Sequence, residues 1–215
     1  MTRATLLIFT KPPRIGLSKT RLAADTSRTT ARRIAGFGHA RTFRAAAASG
    51  CDVRLYVAPD AALNGTVSAL WPAGIPRFSQ GEGDLGARLE KAWNEAPTGP
   101  VLFIGTDAPD ISPALLRQAV RLLARHDAIF GPAEDGGFWL FGMNKGPRAR
   151  APFRNVRWSG PHAMEDVWSH LPDHAQVGLL PMLMDIDRKE DWHAWSRRPG
   201  RWRPPAIHRK KLKGH

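Results

Sequence analysis

The stretch VLFIGTDAPDISPALLRQAVRLL, residues 101–123, decides the fold. Residues 101–105 form a short apolar run, typical of a strand buried on both faces, and lead directly into the loop TDAPD. Ser112 is a favourable N-cap and Pro113 suits the first helical position, so we predict that a helix begins there. Its apolar residues recur at helical spacing: Leu115, Leu116, Ala119, Val120 and Leu123. A buried strand followed by an amphipathic helix is a unit of an α/β fold.

The same alternation extends to both sides of this unit. Apolar runs predict further strands at residues 5–9, 52–58, 128–130, 138–141 and 177–180. Periodic segments predict helices at residues 28–49, 84–96 and 163–171, and a short helix that begins near Glu190 and Asp191. We therefore expect an α/β fold of three layers, with a mostly parallel central sheet and helices on both faces.

Composition places the chain among ordinary globular proteins. Of its 215 residues, 42% are hydrophobic and 24% are charged. No apolar segment is long enough to predict a membrane span, and the run at residues 6–9 is too short for a signal peptide, so we expect a cytoplasmic protein. Cys51 is the only cysteine, which excludes an internal disulfide and favours a small buried residue over a nucleophile.

The net charge of +13 is concentrated near the C-terminus. Residues 197–215 carry eight Lys or Arg and no acid, and the rest of the chain has 24 basic and 19 acidic side chains. We therefore predict a folded domain at residues 1–196 and a basic, flexible tail at 197–215. The tail could attach to nucleic acid or to an anionic membrane, but we favour a solvated terminus that aids solubility.

A basic loop follows the first predicted strand. Lys11, Arg14, Lys19 and Arg21 flank Gly16, and such a loop can hold phosphates through backbone N–H groups and cations. The spacing differs from a Walker A motif. Composition alone leaves a phosphate loop and a solvated basic loop equally supported.

Carboxylates follow the strand at residues 101–105 and recur late in the chain. Asp107 at the tip of a buried strand needs a partner, and a divalent metal is one such partner. Asp110 could instead cap the next helix, as an alternative to Ser112. Asp185 and Asp187 share one side if their segment is extended, which suits either a metal pair or an ordinary acidic surface.

Other polar segments favour structural roles. Glu134-Asp135-Gly136-Gly137 joins two predicted strands, and on local grounds we interpret it as a tight turn. The histidines lack metal-ligand spacing, and no Gly-x-Ser-x-Gly elbow is present. We expect the tryptophans at positions 192, 195 and 202 to pack rather than to stack on bases.

Six segments in order resemble one family, the DUF2064 group of glycosyltransferase-like, "selenodomain-associated transferase" proteins, which is related to the 2-phospho-lactate guanylyltransferases of the nucleotide-diphospho-sugar transferase superfamily. They are FTKPPRIGLSKTRLA (9–23), QGEGDLGARLEKA (80–92), IGTDAPDISPALL (104–116), GPAEDGGFWLFG (131–142), WSGPHAMEDV (158–167) and DIDRKEDW (185–192). The resemblance implies a Rossmann-like GT-A fold with a nucleotide pocket at the strand ends.

The resemblance also implies roles for individual residues. It makes Asp107, Asp185 and Asp187 the ligands of Mg²⁺ or Mn²⁺, and Asp107, Lys19 and Arg21 the catalytic group. It implies a nucleotide-binding set of Lys11, Arg14, Gly16, Lys19, Arg21, Gly81, Gly83, Asp84 and Gly86. It implies an acceptor-binding set of Asp135, Gly136, Gly137, Trp158 and Ser159.

Two reactions are compatible with this resemblance. Attack on the α-phosphorus of an NTP would make the chain a nucleotidyltransferase, and attack on the anomeric carbon of a nucleotide sugar would make it a glycosyltransferase; in both, a small acceptor takes the group. The basic loop favours the first and the usual family label the second. The alternative from another class is a non-catalytic nucleotide- or polyanion-binding protein on the same scaffold, with nucleic acid held by the basic tail.

Overall fold

The computed structural model describes residues 3–13, 19–63 and 71–198. Its strands are β1 (Thr5–Thr10), β2 (Asp52–Val57), β3 (Arg77–Ser79), β4 (Gly99–Ile104), β5 (Ala128–Pro132), β6 (Phe138–Lys145) and β7 (Val177–Leu179). Its helices are α1 (Thr20–Asp25), α2 (Arg28–Ala47), α3 (Leu85–Glu95), α4 (Pro113–Leu123), α5 (Ala163–Ser169) and α6 (Lys189–Arg197), with a short 3₁₀ turn at Asp60–Ala62. No helix within these ranges could cross a membrane.

The strands form one sheet in the order β3-β2-β1-β4-β6-β5-β7. All pairings are parallel except those of β6, which runs antiparallel to both β4 and β5. The predicted α/β fold with a mostly parallel sheet is therefore confirmed. The antiparallel strand follows from the short turn between β5 and β6, which reverses the chain without a crossover helix.

Two hydrophobic cores cover the two faces of the sheet. Leu6 and Ile8 of β1 pack with Phe43 of α2 and Leu116 of α4 on one face. Leu7, between them, packs on the opposite face with α3 and α5. Because successive strand residues point to opposite faces, an unbroken apolar strand such as β1 fits only between two helical layers. The predicted three-layer arrangement is confirmed.

A third, smaller core attaches the last described helix to the start of the chain. Trp195 of α6 is buried with Ile186, and both pack against Leu22 of α1 and Ile34 of α2. The Trp195 indole Nε1 also donates to Asp110 Oδ1 at 3.0 Å. The prediction that Trp195 packs is thus confirmed, and position 202 lies outside the described residues.

The start of α4 decides between the two predicted caps. Ser112 is the N-cap, and its Oγ accepts a hydrogen bond from the Leu115 backbone N–H at 3.2 Å. The alternative that Asp110 caps this helix is wrong, because the buried Asp110 carboxylate accepts from the Trp195 indole instead. Cys51 is buried, as predicted.

Helix α2 packs unusually closely on the loop that carries Asp107. A Cβ at Gly38 would lie 2.6 Å from the backbone oxygen of Thr106. We expect Gly38→Ala to lower the free energy of unfolding by about 1–3 kcal/mol, because the new methyl group would displace backbone atoms, which move less readily than the end of a side chain. Gly105→Ala is the control, since a Cβ there meets nothing within 4 Å. Urea denaturation measures both, and equal stabilities would contradict this packing argument.

Candidate active site

A cleft of about 620 Å³ opens at the carboxyl ends of β1 and β4. This is the edge at which ligands bind in open α/β sheets. The polar and charged side chains that line it come from distant parts of the chain: Lys11, Lys19, Arg21, His39, Gln80, Asp107, Asp135, Ser159, Asp185 and Asp187. The fold therefore gathers the predicted basic and acidic residues in one place.

Lys19 and two aspartates form the centre of the cleft. The Lys19 ammonium Nζ lies 2.5 Å from Asp107 Oδ1 and 2.8 Å from Asp187 Oδ1. The Lys19 side chain is only 6% exposed, whereas each carboxylate is 49% exposed to the cleft. Burial alone would lower the pKa of Lys19, but the two carboxylates outweigh it and the pKa is raised. Lys19 is therefore a permanent cation of the ligand-free cleft.

The same ion pair acts on Asp107. Its position deep in the cleft would raise the pKa of its carboxyl group, but the attraction of Lys19 prevails and lowers that pKa. Asp107 thus has an ion-pair partner in the structure. In the ligand-free protein that partner is a lysine, where the sequence suggested a metal.

Backbone hydrogen bonds hold the late acidic pair against the Asp107 loop. The Ile186 N–H donates to the Asp107 carbonyl oxygen at 3.1 Å. Because Ile186 is buried between the two aspartates in sequence, Asp185 and Asp187 are fixed beside Asp107. The N–H groups of Asp187 and Arg188 both donate to the Asp191 carboxylate, which anchors this segment to the start of α6.

Asp185 is one of the unsatisfied groups in the cleft. Its Oδ1 is buried and has no hydrogen-bond partner among the described residues. Burial raises the pKa of Asp185 to about 8, and the nearby charges of Asp107, Asp135 and Asp187 add to this effect against that of Lys19. An orphaned carboxylate oxygen in a cluster of aspartates is a position at which a cation would be stabilising.

The three aspartate carboxylates have the chemistry that a divalent metal needs, but they do not surround a single point. Among residues 3–13, 19–63 and 71–198, no three His, Cys, Asp or Glu side chains already surround a metal position. Three carboxylates beside one another, one with an orphaned oxygen, nevertheless offer the hard oxygen ligands that Mg²⁺ and Mn²⁺ prefer. The predicted metal ligands are therefore adjacent, and Lys19 lies between two of them.

The predicted phosphate loop is described in part. Lys11, Lys19 and Arg21 line the cleft, while Arg14 and Gly16 lie outside the described residues. Lys19 is the N-cap of α1 and has left-handed backbone angles, with φ at +53°. A non-glycine residue in this region is uncommon and concentrates at functional sites. Helix α1 itself was not predicted, because six residues carry too little periodicity.

The interpretation of Glu134-Asp135-Gly136-Gly137 as a tight turn is consistent with the structure. Asp135 Oδ1 accepts from the Gly137 N–H at 2.9 Å. Gly136 has φ at +85°, and a Cβ there would lie 2.2 Å from the Pro161 carbonyl oxygen. Asp135 and Gly137 nevertheless also line the cleft, together with Trp158 and Ser159. The turn therefore faces the same space as the acidic centre.

The segment at residues 81–86 shapes the cleft more than it lines it. Of these six residues, Leu85 is the one among the cleft-lining set. Asp84 caps α3 by accepting from the Ala87 N–H at 2.8 Å, and Gly81 and Gly83 have positive φ. A Cβ at Gly86 would meet the Phe153 carbonyl oxygen and the Trp158 indole nitrogen. Gly86 thus allows Trp158 to pack on the start of α3.

Sequence reasoning missed two cleft residues, His39 and Gln80. His39 of α2 is 3% exposed, and burial lowers its pKa to about 4, so its imidazole is neutral at physiological pH. Its Nε2 lies 3.4 Å from Thr10 Oγ1. Gln80 Nε2 donates to the carbonyl oxygens of Thr10 and Tyr56. Both residues stabilise the end of β1, and a single histidine within a helix gives no sequence signal for this.

Residues 42–160, more than half of the chain, match the family described as "Uncharacterized protein conserved in bacteria (DUF2064)". The chain belongs to this family. No curated protein matches it. The resemblance inferred from the six sequence segments is therefore confirmed.

Several solved structures share the fold. A Desulfovibrio desulfuricans G20 protein, described as a proposed nucleotide-diphospho-sugar transferase, is 27% identical over 92% of this chain and 87% of its own, with a TM-score of 0.81. Rv0371c from Mycobacterium tuberculosis H37Rv is 17% identical over 90% of this chain and 97% of its own, with a TM-score of 0.59. The same protein has been solved in complex with manganese, with a TM-score of 0.51.

A third relative in structure is 4-diphosphocytidyl-2C-methyl-D-erythritol synthase from Anaerococcus prevotii DSM 20548. It is 10% identical over 91% of this chain and 99% of its own, with a TM-score of 0.60. These likenesses confirm the predicted GT-A-like fold. The Desulfovibrio and Anaerococcus proteins are described as a transferase and a synthase, which agrees with the expected enzyme class.

The raised pKa of Asp185 predicts how stability changes with pH in the metal-free protein. The folded state keeps a proton on Asp185 up to about pH 8, whereas the unfolded chain releases it near the ordinary value of 3.8. Stability therefore falls as the pH rises through this window. We expect Asp185→Asn to raise the melting temperature in EDTA, and to raise it more at pH 8.5 than at pH 4.5.

Asp187→Asn is the matched control for this prediction. It removes a carboxylate that accepts from Lys19, so we expect a lower melting temperature at both pH values. A melting temperature of Asp185→Asn below that of the wild type at pH 8.5 would contradict the assignment of Asp185 as an unsatisfied group.

Proposed function

We propose that this DUF2064 protein is a metal-dependent transferase that takes a nucleotidyl or glycosyl group from a nucleotide donor and passes it to a small acceptor. The observation that carries the proposal is the juxtaposition of Asp107, Asp185 and Asp187 with Lys11, Lys19 and Arg21 in one cleft. Carboxylates beside cations are the arrangement that a metal-bound phosphate chain requires. The structural likeness to nucleotide-using transferases supports the same class of donor.

The metal would be held by the three aspartates. The orphaned Oδ1 of Asp185 and the partly exposed carboxylates of Asp107 and Asp187 supply the oxygen ligands. A bound Mg²⁺ or Mn²⁺ would offset the negative charge of the donor phosphates and polarise their oxygens. The manganese complex of Rv0371c, a protein of the same fold, supports the use of a divalent ion.

The basic residues bind and orient the phosphates. Lys11 and Arg21 line the cleft on the same side as Lys19, and neither has an ion pair among the described residues. Free cations at the end of β1 can form charge-assisted hydrogen bonds with phosphate oxygens and stabilise the charge that develops on the leaving group. Three cations suit a triphosphate, which favours nucleotidyl transfer over glycosyl transfer.

A second group of cleft residues suits the acceptor. Asp135 and Ser159 place polar groups there, while Phe138, Trp158 and Leu85 supply an apolar wall. The ring centroids of Phe138 and Trp158 lie 6.2 Å apart in an edge-to-face arrangement, so this wall is packed before any ligand arrives. A preformed cleft positions the donor and the acceptor relative to each other, and positioning is the main contribution of the protein to such transfers.

Ligand-induced stabilisation tests the donor class directly. In the presence of Mn²⁺, we expect one NTP to raise the melting temperature by about 5–10 °C at saturating concentration, through about 2.7 kcal/mol of linked binding energy. EDTA and Asp107→Asn should each abolish the shift. Asp52→Asn, at the start of β2 and away from the cleft edge, is the matched control and should retain it.

The product then separates the two reactions. Release of pyrophosphate from the stabilising NTP would establish nucleotidyl transfer. Stabilisation by a nucleotide sugar alone, with release of a nucleoside diphosphate, would establish glycosyl transfer. Absence of a shift with every NTP and nucleotide sugar would contradict the proposed function.

The end of the catalytic domain is tested by truncation. Helix α6 ends at Arg197, and the Arg198 guanidinium pairs with Glu134 at 2.7 Å, so we place the end of the domain at Arg198, two residues beyond the predicted residue 196. We expect a chain that ends at Arg198 to melt within about 2 °C of the full chain and to keep its nucleotide response. A chain that ends at Arg188 lacks α6, exposes the core around Ile186 and should lose the folded state. If the chain that ends at Arg198 folds but loses its nucleotide response, the result would support the alternative in which the basic tail holds the ligand.

A further inference from the structure

Lys19 occupies the place that a bound cation would take between two of the proposed metal ligands. Its ammonium lies 2.5 Å from Asp107 Oδ1 and 2.8 Å from Asp187 Oδ1, distances at which both Oδ1 atoms accept charge-assisted hydrogen bonds. With its side chain 6% exposed, Lys19 is held by these contacts and does not sample solvent freely. The ligand-free cleft therefore contains its own counter-ion.

Direct competition follows from this geometry. A divalent ion that binds Asp107 and Asp187 through these Oδ1 atoms competes with Lys19 for the same acceptors. A doubly charged ion would also repel an ammonium held within a few ångströms of it. Asp185, whose Oδ1 has no partner among the described residues, could then complete the ligand set without a similar competitor.

We propose that Lys19 is a resident cation that the metal displaces. Metal binding is then coupled to the movement of the Lys19 ammonium from the aspartates to the donor phosphates. This inference rests on the proposed function. Lys19 lies at the N-cap of α1, at the same cleft wall as Lys11 and Arg21. An ammonium released from the aspartates there finds phosphate oxygens as its new acceptors.

The coupling makes the metal site conditional on the nucleotide. Without phosphates, displacement leaves a largely buried ammonium without acceptors, which is costly, so a metal alone should bind weakly. With phosphates, the same ammonium gains new partners, and the two ligands should bind cooperatively. The protein would thus avoid loading a metal onto an empty cleft.

Binding of Mn²⁺ alone, followed by electron paramagnetic resonance without any nucleotide, tests this inference. We expect Lys19→Met to bind Mn²⁺ at least about 10-fold more tightly than the wild type, within the usual range of coupling between sites. Lys19→Gln is a second uncharged variant, should Lys19→Met fail to fold. Lys19→Arg keeps the charge and should keep the weak binding of the wild type.

Arg21→Met is the matched control. Arg21 lines the same cleft but pairs with neither aspartate in the described structure, so its removal should change Mn²⁺ affinity by less than about 3-fold through the general field alone. Asp107→Asn should abolish binding in the Lys19→Met background, which shows that the ion occupies the proposed site.

Three outcomes would overturn the inference. They are an unchanged or weaker Mn²⁺ affinity in both uncharged Lys19 variants, an equal gain in Arg21→Met, or no Mn²⁺ binding by any variant. The readout does not involve a nucleotide. If the Lys19 variants bind Mn²⁺ as expected but no NTP or nucleotide sugar stabilises the protein, the inference about Lys19 stands and the proposed transferase function fails. The two failures are therefore distinguishable.

Discussion

The ion pairs of Lys19 with Asp107 and Asp187 connect three parts of the chain that are far apart in sequence. Lys19 follows β1, Asp107 follows β4, and Asp187 precedes α6. Every other feature of the cleft depends on this meeting point. It places basic residues on one side of the aspartates, and it brings the late acidic pair to a strand end where the parallel sheet already opens a ligand site. Without it, the same residues would be a basic loop and two separate acidic loops.

The backbone carries much of this arrangement, which explains how like charges can be held together. Ile186 donates to the Asp107 carbonyl, Asp191 accepts from the two N–H groups that follow Ile186, and Gly38 lets α2 approach the Thr106 carbonyl. The contacts of Ile186 and Gly38 involve backbone acceptors and do not depend on the protonation of any aspartate. The burial and the repulsion that raise the pKa of Asp185 are thus imposed by the fold, and a cation that binds there relieves their cost.

The sequence predicted the fold well where local signals and buried periodicity agreed. Ser112 and Pro113 located the start of α4, and the apolar run at residues 101–105 located β4. The sequence did not predict β3 or α1. Strand β3 has only three residues and forms because it pairs with β2, and helix α1 has only six residues. The candidate residues were identified, but not that Lys19 would pair with Asp107. Charges distant in sequence carry no signal of their partners, since their attraction depends only on the final fold.

Two parts of the cleft lining bear on substrate specificity in different ways. In the proposed function, Lys11, Lys19 and Arg21 bind phosphates, which all nucleotide donors share, so they would determine the class of donor and not its base. Another part of the cleft lining combines the Phe138 and Trp158 rings with the Asp135 turn. A wall of this kind distinguishes organic groups by shape and by a few hydrogen bonds. Differences in substrate among proteins with this acidic centre should therefore follow the residues around Trp158, while the chemistry follows Lys19 and its aspartates.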